Sequence, residues 1–136
     1  MIGIIGSRDF PFEIFNSKID EVFNMCYKLN KHHNYFPDEY KKQIVTGGAI
    51  GVDSWVEAYC QDMDIKCKII LCLKPEIKSY YLHRNAEIVA ISDYLISFWN
   101  GKSRGTKFTM DYMAMRGKPV LRIDTKGKEY WYGEVI

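Results

Sequence analysis

No stretch of this 136-residue chain is apolar for the ~20 residues that a bilayer-spanning helix needs, so no transmembrane role is expected. No leader pattern precedes the first strand-like run, which predicts a cytoplasmic protein. Cysteine is scarce. Cys26, Cys60, Cys67 and Cys72 show no paired metal-ligand spacing, so they read as reduced thiols, and neither a metal nor a cofactor is expected. Neither sign of charge dominates: 19 Lys and Arg stand against 17 Asp and Glu, a net +2 that lacks the concentrated basic face of a duplex-DNA binder. Internal repeats, low-complexity segments and linkers are also missing. At 47% hydrophobic residues, the chain reads as one domain over residues 1–136 with a sizeable core.

What is present is an alternation of short apolar runs with helical patterns. Ile2–Ile5, Ile44–Thr46, Lys66–Leu73, Tyr94–Trp99 and Val120–Ile123 read as strands, and the unbroken apolar character of Lys66–Leu73 predicts a strand covered on both faces. Between them, apolar residues at helical spacing run from Ile14 to Leu29, from Gly51 to Met63, through Tyr81–Ile91, and from Gly105 to Arg116 before Gly117 and Pro119. Lys31–Lys42 reads as a polar loop, and Glu129–Ile136 as an added edge strand or arm. Strands alternating with helices predict an α/β fold, a single Rossmann-like domain with a mostly parallel sheet and helices on both faces.

Three glycine-rich segments follow these strands. They are Gly6-Ser7-Arg8, the run Thr46-Gly47-Gly48-Ala49-Ile50-Gly51-Val52-Asp53, and Asn100-Gly101-Lys102-Ser103-Arg104-Gly105-Thr106. Ligands of open parallel sheets bind at the carboxyl ends of strands, where glycine lets backbone N–H groups approach an oxyanion and a helix N-terminus favours negative charge. A pocket for a phosphate-bearing small molecule is the implied feature. The lysine of a P-loop is absent from the second segment, which excludes that mode of ATP hydrolysis, and Gly3 to Gly6 lacks the third glycine of a dinucleotide fingerprint. Arg8 and Arg104 offer forked donors to phosphate from the same rim. Ser103 is placed to cap its helix, Asp53 to accept from a ribose hydroxyl or to face a helix dipole, and Arg84-Asn85 to reach the rim from the third helix. Met110, Met113 and Met115, with Tyr130-Trp131-Tyr132, suit either core packing or a homo-oligomer contact.

Taken together, Gly6-Ser7-Arg8, Thr46-Gly47-Gly48-Ala49 with Gly51 and Asp53, Arg84-Asn85 and Ser103-Arg104-Gly105-Thr106 resemble, in order and over almost the whole chain, the SLOG superfamily. This Rossmannoid group joins the "lonely guy" phosphoribohydrolases and the DNA-processing protein A family, and the chain is most similar to its small single-domain YspA/YpsA-related branch. The resemblance implies a nucleotide-derived ligand across these loops, such as an ADP-ribose-like or cyclic-nucleotide signal. It also implies a dimer or larger homo-oligomer and a role in bacterial or phage conflict. The phosphoribohydrolases carry a glutamate three residues after the threonine of their Gly-Thr motif. Here that position is Thr109, and no catalytic residue is assigned. The expected function is therefore binding, for sensing or sequestration. The alternatives are a nucleoside 5'-monophosphate N-glycosidase, or single-strand nucleic-acid binding, which draws on the 15% aromatic content but lacks a basic groove.

Overall fold

The computed structural model describes residues 1–33, 43–74 and 76–132. Its elements in chain order are β1 (Ile2–Gly6), α1 (Phe12–His33), β2 (Ile44–Thr46), α2 (Val52–Met63), β3 (Cys67–Ile69), α3 (Lys78–Ile91), β4 (Tyr94–Phe98), α4 (Arg104–Met115), β5 (Val120–Ile123) and β6 (Glu129–Tyr132). One six-stranded sheet runs β3-β2-β1-β4-β5-β6. Pairing is parallel throughout except at β5–β6, which is antiparallel. The α/β, mostly parallel architecture expected of the sequence is the one observed.

Alternation along the central strands divides the core. Ile2 and Ile4 of β1, with Ile96 and Phe98 of β4, face one side, where Phe15, Ile19, Val22, Phe23 and Cys26 of α1 and Val52, Val56 and Cys60 of α2 cover them. Those α1 positions recur every three or four residues, so one stripe of the helix lies on the sheet. Ile5, Val45 and Leu95 face the other side, against Ile88 and Val89 of α3 and Met110 and Met113 of α4. Two of the three methionines singled out on α4 thus belong to the chain's own core, while Met115 is 86% exposed. Much of the aromatic content also serves packing, with Phe10, Phe15, Phe23 and Phe98 buried.

Two expectations need correction. The strand in Lys66–Leu73 is only Cys67–Ile69, and it occupies the open edge of the sheet, with Leu71 63% and Leu73 85% exposed. A continuous apolar run reports the composition of a strand, not whether a neighbour lies on its far side, and here the strand order of the sheet leaves β3 outermost. The polar stretch from Lys31 is helical as far as His33, because the hydrogen-bonded ladder of α1 outlasts its apolar stripe. The remainder of that expected loop, 34–42, lies outside the described residues. The C-terminal arm forms an antiparallel edge strand over Glu129–Tyr132, and 133–136 also lie outside them.

Among the described residues no helix is long and apolar enough to cross a membrane, and no group of three or more His, Cys, Asp or Glu side chains is placed to hold a metal ion.

Candidate functional site

The strand order reverses at β1, which pairs with β2 on one side and β4 on the other. Such a reversal parts the loops that follow the two strands and opens a crevice at their carboxyl ends. A cavity of about 480 Å³ lies there, lined by Ile5, Gly6, Arg8 and Asp9 after β1, Ala49 and Asp53 before and on α2, Tyr81, Arg84 and Asn85 on α3, and Asn100, Lys102, Ser103, Gly105, Thr106 and Thr109 at the head of α4.

Close packing shapes the loops around it. A Cβ on Gly6 would stand 2.5 Å from Cγ2 of Val52, so only glycine lets β1 end against α2. Gly51 has φ +89°, and a Cβ there would meet the Arg8 carbonyl oxygen at 2.6 Å. The first two glycine-rich loops are thereby pressed backbone to backbone. Gly47 leaves room for the Arg84 guanidinium and lies beside Asp53, whose Oδ2 would be 2.9 Å from an added Cβ.

Arg84 ties the walls together. Its Nη1 donates to the Gly47 carbonyl, and its Nε donates to Asn85 Oδ1 at 2.7 Å. Asn85, buried, donates from Nδ2 to the Gly105 carbonyl at 3.5 Å. One arginine–asparagine pair thus links the loop after β2, α3 and the start of α4. The Tyr81 ring, one helical turn before Arg84, carries both the Arg84 and Arg8 guanidinium groups at 5.6 and 5.9 Å from its centroid.

The loop after β4 is ordered by its own polar groups. Asn100 Oδ1 accepts from the Lys102 and Ser103 N–H groups at 2.8 and 2.9 Å, and its Nδ2 donates to Asp9 Oδ1 at 2.6 Å. Ser103 caps α4, its Oγ accepting from the Thr106 N–H at 3.4 Å. The first turn of a helix carries its positive end, so the head of α4 brings that end to the cavity that Gly105 and Thr106 line.

Asp53 is the buried acid of the site, 5% exposed. Its Oδ2 accepts from the Ala49 N–H at 3.1 Å, while Oδ1 and the nearby Thr46 Oγ1 are both buried without a well-formed partner. Burial raises the carboxyl above its ordinary value, opposed by the Ala49 N–H, the Arg84 charge and the Thr46 hydroxyl. Thr109 occupies the cavity wall but turns its hydroxyl back onto the Gly105 carbonyl at 2.9 Å. Asp111 on the same helix is bound by Lys107 and by the Tyr132 hydroxyl, and is not part of the wall.

Comparison with known proteins gives one informative finding. The chain is similar to a "UPF0398 protein" of Latilactobacillus sakei subsp. sakei (strain 23K), 23% identical over 126 residues. The match covers 93% of this chain and spans 60% of the length of that relative. No family model matches the chain, and no solved structure matches it.

Of the residues singled out in the sequence, Gly6, Arg8, Ala49, Asp53, Arg84, Asn85, Asn100, Ser103, Gly105 and Thr106 meet on this one cavity. Ser7 and Thr46 lie just beneath it, buried, with Ser7 Oγ accepting from the Asn100 N–H at 3.1 Å. Gly47 packs beside Arg84 and Asp53 and Gly51 beside Arg8 without lining the cavity, while Gly48 faces Leu71 and Ile69. Arg104 begins α4 on the same edge, but its side chain is exposed and off the wall. Sequence reasoning passed over Ile5, Asp9, Tyr81, Lys102 and Thr109 as site residues. Lys102 sits inside a quoted motif and Tyr81 is three residues before Arg84, a helical spacing that puts both on one face. Nothing local marks Ile5.

Proposed function

We propose that this protein binds a phosphate-bearing, nucleotide-derived small molecule in the cavity between β1 and β4, for sensing or sequestration. One observation carries the reading: Arg8, Arg84 and Lys102 and the head of α4 surround a single crevice at the reversal of strand order. Fixed donors of this kind suit an oxyanion, and guanidinium groups hold phosphate in a forked geometry. Asp53 supplies an acceptor for a sugar hydroxyl at the cavity wall, and Tyr81 an aromatic face. The ordered motifs that resemble the SLOG superfamily support this reading.

A second reading rests on Asp53. A buried carboxyl with a raised pKa is suited to general-acid work, so N-glycosidic cleavage of a nucleoside monophosphate stays open with Asp53, rather than the position of Thr109, as its acid.

Thermal shift and mass spectrometry on a panel of nucleoside mono- and diphosphates, cyclic nucleotides and ADP-ribose test both. Ligand at 100 times its Kd stabilises the protein by about 2.7 kcal/mol. Arg84→Ala is expected to weaken the best binder by about 1.5–3 kcal/mol in calorimetry, and Arg104→Ala by clearly less. Released base would favour the enzyme. A panel with no shift, or a larger loss at Arg104 than at Arg84, overturns the assigned grip.

A further inference from the structure

We propose that Cys60 and Cys67 form a reversible disulfide, a redox-modifiable site separate from the ligand cavity. Cys60 lies in the last turn of α2, where Asp64 takes a left-handed conformation (φ 54°) and the Ile65 N–H bonds back to the Cys60 carbonyl at 2.9 Å. This reversal brings the first residue of β3, Cys67, to the same groove as Cys60. The two thiols are neighbours that act on each other's protonation, and both pack at the α1–α2 side of the core. Both line an open groove of about 600 Å³ whose other walls include Glu57, Gln61 and Asp64, so small molecules reach the pair from solvent. The remaining cysteines are differently placed. Cys26 is fully buried on α1, its thiol pushed up to about 12 by burial, and Cys72 follows β3 outside this groove.

The environments divide the labour. The neighbouring Cys60 side chain lowers the Cys67 thiol, and Cys67 is only half-buried. The Cys67 side chain, and then burial, raise Cys60, which is 1% exposed. Cys67, the more exposed of the two on the groove, is therefore the attacking thiol, and Cys60, almost fully buried behind it, the resolving one. The oxidant is a low-molecular-weight disulfide, RSSR. The Cys67 thiolate attacks one of its sulfurs, the S–S bond breaks, and one thiolate leaves and takes up a proton from water. Cys60 then gives its proton to water and attacks Cys67 Sγ. That forms the internal S–S bond and expels the second thiolate, which is protonated in turn. Two electrons and two protons pass from the protein to RSSR, which leaves as two RSH. The link fastens the end of α2 to an edge strand that has, among the described residues, a sheet neighbour on one side only. The carboxylates of Glu57 and Asp64 favour a cationic disulfide in the groove.

The test uses the full chain and cystamine as the cationic disulfide, with alkylation of residual thiols and peptide mass mapping. The expected product is a Cys60–Cys67 disulfide, with loss of two alkylatable thiols, reversed by dithiothreitol. Cys60→Ser is expected to trap a lasting cysteamine adduct on Cys67, and Cys67→Ser to leave Cys60 reduced, each in protein whose thermal unfolding still shows a folded state. A lasting cysteamine adduct on Cys67 of the parent chain, a Cys67–Cys72 disulfide, or reaction confined to Cys72 would each overturn the proposal.

Discussion

Burial separates Asp53 from Asp9, the other acid on the cavity wall, which is exposed and held by Asn100. Because the folded carboxyl titrates above its ordinary 3.8, its neutral form is the one the fold tolerates. Below that ordinary value the group is protonated in both folded and unfolded chains, and its burial carries no ionic cost. As pH rises through the raised folded value, ionisation in a desolvated place removes stability that was present in acid. Asp53→Asn keeps an acceptor for the Ala49 N–H and never ionises. It is therefore expected to raise Tm at pH 7, with the two curves converging below about pH 4. A variant less stable than the parent at pH 7 would mean that the carboxylate is compensated more fully than its surroundings indicate. Thr109 makes the complementary point: a hydroxyl already engaged by Gly105 has no proton to exchange with a ligand.

The site depends on where elements begin and end more than on their interiors. Ser103 holds the first turn of α4 at the cavity, so Ser103→Ala should cost about 1 kcal/mol in urea unfolding. Gly51 precedes α2 with a backbone conformation that side chains rarely adopt, and it touches the Arg8 carbonyl. Gly51→Ala is expected to cost about 1–3 kcal/mol from conformation alone and more if the Arg8 loop cannot move. Equal stability of the parent and Gly51→Ala would show that the two loops are not locked together. At the far end of the sheet, Lys118 donates from Nζ to the Val89 and Ala90 carbonyls at 2.8 and 3.3 Å, closing the C-terminus of α3 with a cation as the helix dipole favours.

For the molecule as a whole, the sheet is finished unequally. One edge is β6, whose Tyr130 is laid on Arg122 with the guanidinium 4.8 Å from its centroid. At the other edge, β3 and the residues after it leave Ile69, Leu71 and Leu73 40%, 63% and 85% exposed. Unprotected apolar edges promote association. Leu71→Lys with Leu73→Lys is expected to change stability by no more than about 0.5 kcal/mol each while lowering concentration-dependent light scattering. Scattering that stays the same would place any self-association elsewhere, for instance at Met115 or Trp131, which are 86% and 38% exposed.

The amino-acid order by itself determined the alternation of strands and helices, hence a parallel sheet, and the three glycine-rich loops at strand ends, hence the edge of the sheet that carries the cavity. Both are local properties: periodicity reports which face of an element is apolar, and glycine reports where the backbone must turn or be approached. Neighbours across the fold are not local. Only the tertiary structure put β3 at an open edge, because strand order is decided by pairings between distant segments. Only it chose Arg84 over Arg104 for the cavity wall, since a helix projects side chains by its rotation as well as its position. The raised pKa of Asp53 and the sharing of one groove by Cys60 and Cys67 were decided there too, because desolvation and neighbourhood arise from what packs around a group and leave no mark in its own stretch of chain.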